Sequence, residues 1–271
     1  MSVKLSNEVS RELLRLAERA AKEAGTLLHD AYATDAGVQS MAGRDIKTEA
    51  DQAAEQHILE KLRPSGYSIL AEESGFSSAK LSREAQRSLR PSLIMNELEP
   101  MWIIDPLDGT FNFTRGFPAC CVSIALWGVN KPLLGVIYDF ASDMMYSGIV
   151  GQGAACNGKP IFVSNTKELH HAALATGFPS GRDFSHASLL SFVERVQQFK
   201  KIRMIGSAAL SHAYVASGRV DAYFEEDIWL WDVAAGLALV EAAGGDFTIS
   251  EIKDSWQLTV MASNSKIPFS L

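Results

Sequence analysis

The chain has 271 residues, of which 47% are hydrophobic and 21% are charged, and its formal net charge is −7 at pH 7. This composition is typical of a folded globular protein and excludes an intrinsically disordered chain. The negative charge disfavours broad nucleic-acid binding, because a polyanion would be repelled and no basic run offsets the repulsion.

Charged side chains occur throughout the first 25 residues. This segment lacks the continuous apolar stretch of a signal peptide or membrane helix, so we expect a cytoplasmic protein with no membrane association. The three cysteines, Cys120, Cys121 and Cys156, have neither zinc-ligand spacing nor the even number typical of a disulfide framework. We predict that they are reduced and mostly buried in strands.

Apolar residues at helical spacing predict a long amphipathic helix over residues 9–31. A second helix is predicted to end at Leu62, with Asp51 in its first turn, because a proline and a glycine follow that leucine closely. Short apolar runs bounded by turn residues then predict a series of strands. These strands lie at residues 67–71, 101–104, 121–127, 133–140, 144–150 and 161–163.

The rest of the sequence alternates between strand and helix patterns, without repeats or low-complexity tracts. Strands are predicted at residues 172–176, 202–205 and 220–225, near Phe247, and at 258–262. Helices are predicted at residues 185–199, 207–217 and 232–243.

Residues 102–110 form the most informative motif, in which a hydrophobic strand delivers Asp105 and Asp108 across a turn that contains proline. This spacing can bring two carboxylates and an intervening carbonyl group to one hard cation. Gly109 and Thr110 follow with backbone N–H groups that can bind an anion such as phosphate. The alternative is a tight turn with solvated aspartates, which is the common case for this spacing alone.

Two other acidic segments favour the metal-site interpretation. Glu72 and Glu73 close a neighbouring strand, where further like charges would repel one another without a cation. Asp232 opens a helix seven residues after Glu225, which ends a strand. Asp232 is equally well explained as a helix N-cap, and the two roles are compatible.

These segments together resemble the inositol monophosphatase family, within the lithium-sensitive, metal-dependent phosphatase superfamily. The resemblance covers nearly the whole chain, and residues 102–110 and 231–236 are its most specific motifs. Residues 45–51 and 72–74 support it. The resemblance implies a layered αβαβα sandwich of the α+β class and a homodimer. An N-terminal α+β half, residues 1–150, would carry most metal ligands, and a C-terminal α/β half, residues 151–271, would complete the site within one compact unit.

The resemblance also implies the metal ligands. Glu72, Asp105 and the carbonyl group of Leu107 would bind one ion, while Asp105, Asp108 and Asp232 would bind a second. Oxygen-only ligands select Mg²⁺, or Mn²⁺ in its place, over zinc. Two or three Mg²⁺ ions are expected per site.

Catalytic and substrate-binding roles follow from the same resemblance. Asp51 and Thr110 would orient and deprotonate the attacking water, with Glu73 supporting a third, weakly held ion. The residues implied as substrate contacts are Asp108, Gly109, Thr110, Ser207, Ala208, Glu225 and Asp232.

The implied activity is hydrolysis of a small phosphate monoester by a metal-activated water, and myo-inositol 1-phosphate is the first expected substrate. Alternatives are a 3′(2′),5′-bisphosphate nucleotide, fructose 1,6-bisphosphate, histidinol phosphate and NADP. A non-enzymatic alternative is a regulatory, partner-binding dimer.

Two departures from the family pattern bear on the substrate. A basic residue common before the 45–51 segment has no clear match, although Arg44 or Lys47 could serve. Trp229, Glu226 and Asp227 predict a pocket that is bulkier and more acidic than in inositol-selective members.

Overall fold

The computed structural model describes residues 5–32, 38–42, 45–82, 84, 86, 90–91, 94–95, 100–178 and 183–269. Its α-helices are α1 (Asn7–Tyr32), α2 (Glu49–Leu62), α3 (Thr110–Thr114), α4 (His186–Val196), α5 (Ala208–Ala216) and α6 (Leu230–Ala242). The strands of the first half are β1 (Val38–Ala42), β2 (Asp45–Thr48), β3 (Ser68–Ala71), β4 (Gly75–Ser77), β5 (Met101–Asp108), β6 (Cys121–Gly128), β7 (Lys131–Asp139) and β8 (Met144–Ile149). Those of the second half are β9 (Gly153–Cys156), β10 (Lys159–Ile161), β11 (Ala173–Thr176), β12 (Lys201–Arg203), β13 (Ala222–Trp229), β14 (Asp246–Ile249) and β15 (Gln257–Ser263).

A large sheet has the strand order β10-β9-β8-β7-β6-β5-β3-β4, in which only the β3–β5 pair is parallel. Its central strands are buried on both faces, and their side chains alternate between two hydrophobic cores. Trp102 and Ile104 of β5 pack with α1 and α2, whereas Met101 and Ile103 pack on the side of α5 and α6. Asp105 continues the second series, so its side chain points toward α6.

The smaller sheet has the order β12-β11-β13-β15-β14, with β11 parallel to both of its neighbours. Helix α6 lies between the two sheets and contacts β6 and β7 on one side and β13 and β15 on the other. Nearly all of its residues are buried, which accounts for a sequence that is apolar all round. This position directs the first turn of α6, and therefore Asp232, to the space between the sheets.

Helix α4 covers the outer face of the smaller sheet, where the Arg195 guanidinium lies 4.0 Å from the centre of the Phe224 ring. Val196 packs against the same apolar cluster. The layers therefore run α1/α2, large sheet, α5/α6, small sheet, α4, which confirms the predicted αβαβα sandwich. The division at residue 150 stays a prediction; β9 and β10, which follow it, pair within the large sheet.

Several sequence predictions differ from the structure. The last strand of the meander lies at Lys159–Ile161 rather than 161–163, and β9 (Gly153–Cys156) was not predicted, because it is short and begins with glycine and alanine. Asp232 is not an N-cap: Trp229 occupies that position, and Asp232 lies three residues inside the helix. All three cysteine thiols are free and buried, as predicted.

No helix in the described ranges is both long and apolar enough to cross a membrane.

Candidate active site

Strand β5 carries two acidic residues in its C-terminal half, Asp105 and Asp108, and both are buried. Pairing with β6 is irregular between these two residues, because Pro106 has no N–H group to continue the ladder. The backbone N–H of Leu107 instead donates to Asp105 Oδ1 at 3.0 Å. The irregularity releases the strand end from regular pairing where the two carboxylates lie.

Gly109 allows the chain to leave β5 and begin α3 directly. Its φ is 88°, and a Cβ atom at this position would lie 2.7 Å from the carbonyl oxygen of Ala119. Only glycine satisfies both conditions. Thr110 then opens α3, and its hydroxyl lies within donating distance of two acceptors, the carbonyl oxygen of Leu107 at 3.0 Å and Asp51 Oδ1 at 3.3 Å.

Helix α2 holds Asp51 in place through a capping box. The backbone N–H of Thr48 donates to Asp51 Oδ2 at 2.6 Å, and the Asp51 N–H donates to the Thr48 hydroxyl at 3.3 Å. Asp51 is 1% exposed. Burial raises the pKa of its carboxyl group, and the hydrogen bonds from Thr48 oppose that rise.

The same helix anchors the acidic turn after β3. Glu55, one helical turn beyond Asp51, accepts the backbone N–H of Glu73 at 2.9 Å and is also hydrogen-bonded to Ser74. Glu72 is held from the other side, because its N–H donates to the carbonyl oxygen of Ile104 at 3.1 Å. Burial raises the pKa of Glu55.

Two elements of the second half complete the site. Ser207, the N-cap of α5, donates from its hydroxyl to Asp108, and the N–H of Ala209 donates to Asp108 Oδ2 at 2.7 Å. The backbone N–H of Trp229 is hydrogen-bonded to the carboxylate of Asp232, one turn inside α6.

Glu225 lies on β13 immediately before an irregularity in the pairing of β13 with β15. Its side chain is buried, and its carboxylate accepts a hydrogen bond from the Tyr223 hydroxyl. Burial and the Glu225 carboxylate together raise the pKa of Tyr223 well above its usual range. The phenol therefore remains a donor that fixes this carboxylate.

A cavity of about 440 Å³ brings most of the predicted residues together. The predicted residues that line it are Glu72, Asp105, Leu107, Asp108, Gly109, Thr110, Ser207, Ala208, Glu225 and Asp232. Asp51 and Glu73 are not among the lining residues. Asp51 reaches the cavity through Thr110, and the charge of Glu73 acts on Asp51.

The carboxylates of the cavity destabilise one another's ionised forms. Burial and then the charge of Glu72 raise the pKa of both Asp105 and Asp232 well above the usual range. Burial also raises the pKa of Asp108, to about 6, although donors from Ser207 and Ala209 limit the rise.

The donor set suits a hard cation. Among the described residues that line the cavity, every charged side chain is acidic, so a bound cation would relieve the repulsion that raises these pKa values. Carboxylate and carbonyl oxygens are the ligands that Mg²⁺ prefers, and Mg²⁺ also retains several waters.

Among the described residues of the cavity, Glu72 and Asp105 have carboxyl groups within hydrogen-bonding distance of each other, but no three carboxylates come within 4.8 Å of one another. Within the described part of the chain, the only three metal-binding side chains whose ligand atoms lie within 4.8 Å of one another are Glu168, His170 and His171. These three are exposed and lie outside the cavity.

Three features of the site were missed by sequence reasoning. Glu55 carried a detectable signal, since it follows Asp51 by four residues on the same face of a helix. The bond from Ser207 to Asp108 spans 99 positions and had no local signal. The pairing of Tyr223 with Glu225 follows from two residues on one face of a strand, an arrangement too common to predict a site.

The fold and the cavity define a class of protein: a layered αβαβα protein with a cavity of about 440 Å³ between its two sheets, in which every charged side chain among the described lining residues is acidic. The model of the inositol monophosphatase family matches residues 10–267. Among similar proteins, inositol monophosphatase 3 of Solanum lycopersicum is 36% identical over 262 residues, which are 94% of this chain and 93% of the relative. Nus factor SuhB of Xylella fastidiosa is 40% identical over 232 residues, which are 84% of this chain and 78% of the relative.

The solved structure of inositol monophosphatase from Anabaena (Nostoc) sp. PCC 7120 has a TM-score of 0.77 with this chain. Its sequence is 36% identical, with 94% of this chain and 92% of that chain covered. The chain belongs to the inositol monophosphatase family. It is therefore a phosphoric monoester hydrolase, of a family that is metal-dependent and acts on small phosphorylated substrates.

Proposed function

We propose that this chain hydrolyses a small, singly phosphorylated alcohol in a Mg²⁺-dependent reaction, with myo-inositol 1-phosphate as its preferred substrate. The observation that carries the proposal is the convergence of Glu72, Asp105, Asp108 and Asp232 in one cavity without a neutralising basic residue among the described lining residues. Phosphate transfer to water needs charge neutralisation rather than a protein nucleophile, and these residues can hold the ions that supply it.

The proposed ligands of one ion are Glu72, Asp105 and the Leu107 carbonyl group, and those of a second are Asp105, Asp108 and Asp232. When bound, Mg²⁺ would supply Lewis-acid stabilisation of the phosphoryl charge and a more acidic water. Asp105 would belong to both sites. Because it would bind both ions, substitution of Asp105 should lower activity more than substitution of the other proposed ligands.

Asp51 and Thr110 are the proposed general base and its orienting partner. The burial that raises the pKa of Asp51 increases its basicity toward a water proton. The hydroxyl of Thr110 lies between Asp51 and the Leu107 carbonyl, so it is held by both. Glu73, whose charge acts on Asp51, is the proposed support of a third, weakly held ion.

Substrate contacts are proposed on both sides of the cavity. Backbone N–H groups of Gly109 and Thr110 would contact the phosphate, and Ser207, Ala208 and Glu225 would line the alcohol side, with Glu225 accepting a hydroxyl. A second phosphate group would face acidic side chains only, among the described lining residues. Repulsion therefore favours inositol 1-phosphate over fructose 1,6-bisphosphate, a bisphosphate nucleotide or NADP.

The test is phosphate release from a panel of these compounds, histidinol phosphate included, with Mg²⁺, with Mn²⁺, and with Mg²⁺ plus Li⁺. We expect Mg²⁺-dependent turnover that is highest on inositol 1-phosphate and inhibited by Li⁺. A maximum on a bisphosphate would refute the substrate assignment but retain the reaction class, whereas metal-independent turnover would refute the mechanism. Light scattering on the same sample tests the proposed homodimer.

A second candidate function is partner binding. The observation that favours it is that a relative 40% identical to this chain is named a Nus factor. In a strain that lacks the protein, Asp105→Asn should then restore growth as well as the wild type does, although it lacks phosphatase activity. Restoration by the wild type alone would argue that hydrolysis is the cellular role.

A further inference from the structure

The cavity has an aromatic part beside its carboxylates. Trp229 and Trp231, together with Phe111 and Phe178, line it. The indole rings of Trp229 and Trp231 are stacked, with centroids 4.9 Å apart and planes 10° apart. Trp231 is 9% exposed, whereas Trp229 remains partly exposed at the cavity. The surface indole of this pair is therefore that of Trp229.

Stacking on Trp231 restrains the Trp229 ring before a ligand arrives. A flat group that packs against a restrained ring loses less conformational freedom than one that must order a mobile side chain. Because Trp229 is also the N-cap of α6, its backbone is fixed by the helix that carries Asp232. The indole is thus tied to the same element as a proposed metal ligand.

The alcohol part of the substrate must occupy the space that the phosphate and its ions leave. Glu225, four residues before Trp229 on β13, offers a carboxylate there, and Ile228 adds an apolar wall. A ring compound can present hydroxyl groups to Glu225 at its edge and a flat face to an indole at the same time. A linear alcohol can present hydroxyl groups but covers little of the indole.

We propose that Trp229 is a specificity-determining residue that packs against the flat face of a cyclic alcohol, so that cyclic monophosphates are preferred to linear ones. This inference rests on the proposed phosphatase function. A saturated polyol ring in its chair form presents a broad face of C–H bonds and an aromatic ring presents a planar face, and the packing of either on an aromatic side chain depends on dispersion over a large contact area.

The test compares kcat/KM for inositol 1-phosphate and phenyl phosphate, as ring substrates, with that for glycerol 1-phosphate. The variants are Trp229→Leu, which keeps an apolar side chain without a flat face, and Trp229→Phe, which restores one. Phe162→Ala is the control, because Phe162 is 71% exposed and lies outside the cavity. The readout is the ring-to-linear ratio of kcat/KM values, which does not depend on the fraction of each variant that is folded.

We expect Trp229→Leu to lower the ring-to-linear ratio about 10-fold, as for loss of one stacking contact, mainly through KM. Trp229→Phe should recover most of the ratio, and Phe162→Ala should leave it unchanged. A fall for only one ring substrate supports the proposal and identifies the ring type. An unchanged ratio in Trp229→Leu overturns it while leaving the phosphatase function intact; failure of that function would appear instead as no Mg²⁺-dependent release from any substrate by the wild type.

Discussion

Two buried aspartates, one in each half of the molecule, have opposite surroundings. Asp221 precedes β13 and accepts hydrogen bonds from the Ser164 hydroxyl at 2.5 Å and from the Ala173 N–H at 2.6 Å. Asp105 ends the regular part of β5, and the charges of three other carboxylates, that of Glu72 most and then those of Asp108 and Asp232, raise its pKa further above the usual range. The backbone N–H of Leu107 donates to its Oδ1 at 3.0 Å.

The Asp221 carboxylate stabilises the fold through its hydrogen bonds, whereas the Asp105 carboxylate destabilises it through like-charge repulsion. Asp221 ties a loop and two strands together with donors that its charge strengthens. Asp105 is surrounded by like charges, so its burial is a destabilising feature, and in the proposed function a bound cation would offset it. Substitution of Asp221 should therefore lower the free energy of unfolding, whereas substitution of Asp105 should lower activity.

The largest effect is expected from Asp105→Asn. Loss of a ligand shared by both proposed ions should lower kcat/KM by about 10³-fold or more, because several kcal/mol of charge stabilisation are removed. Phosphate release at saturating Mg²⁺ measures this. Stability without metal should not fall, since the substitution also removes like-charge repulsion. Retained activity with lowered stability would reverse the roles assigned to the two aspartates.

Asp51→Asn tests a third aspartate, which caps α2 and for which a catalytic role is proposed. The amide oxygen can still accept from the Thr48 N–H, so the start of α2 and the unfolding midpoint should change little. Loss of the general base should lower kcat by about 10²- to 10³-fold. A variant with normal kcat would remove Asp51 from the mechanism and leave it as a helix cap.

Asp221→Asn should have the reverse pattern. An amide nitrogen facing the donors of Ser164 or Ala173 leaves a buried polar group unsatisfied, so unfolding in denaturant should require about 1–3 kcal/mol less. Activity of the folded variant should be retained. Asp254→Asn, at an exposed aspartate, is the control and should match the wild type in both measurements.

His212 extends the comparison to a buried base. Burial lowers its pKa from 6.5 to about 4. The side chain packs directly against Gly236, since a Cβ atom on that glycine would lie 2.3 Å from the His212 Cβ. The unfolded chain therefore takes up this proton at a higher pH than the folded chain, so stability is lost as pH falls from 6.5 toward 4. Between pH 7 and pH 5 the loss is about 2 kcal/mol.

Unfolding of His212→Leu at these two pH values measures that contribution. The variant should lose about 2 kcal/mol less than the wild type on acidification, while the exposed His186→Leu should behave as the wild type does. An unchanged pH dependence in His212→Leu would show that the histidine is not the source.

The smallest effect is expected from Glu55→Gln. Glu55 holds the backbone of Glu73, so a weaker acceptor should loosen the acidic turn and raise the Mg²⁺ concentration for half-maximal activity about 10-fold. At saturating Mg²⁺, kcat should change less. Glu60→Gln, at an exposed position of the same helix, is the control. Equal Mg²⁺ requirements in all three proteins would contradict a positioning role.

The long periodic elements were predictable from sequence because their patterns are set by burial. Helix α1 and strand β5 follow from apolar spacing alone, and the layered fold followed from the family resemblance. The β1–β2 hairpin and β9 were missed, since polar or small residues give no period-2 signal. Basic residue Arg44 lies outside the described residues, so its role stays a prediction.

The site divides in the same way. Its motif residues were predictable because each lies at a strand or helix end, and the structure brings most of them to one cavity. Their chemical roles stay predictions. The contacts of Ser207 with Asp108 and of Glu55 with Glu73 were not predictable, because each joins segments that only the tertiary fold brings together.

The most direct test of the account is the shift in unfolding temperature that Mg²⁺ causes in the wild type, Asp105→Asn and Asp221→Asn. Ligand binding to the folded state alone raises the midpoint, so the shift reports the metal site without requiring a substrate. We predict a clear upward shift for the wild type and for Asp221→Asn, from a lower starting point in the latter, and almost none for Asp105→Asn. An equal shift in all three proteins would contradict the assignment of Asp105 to the metal site.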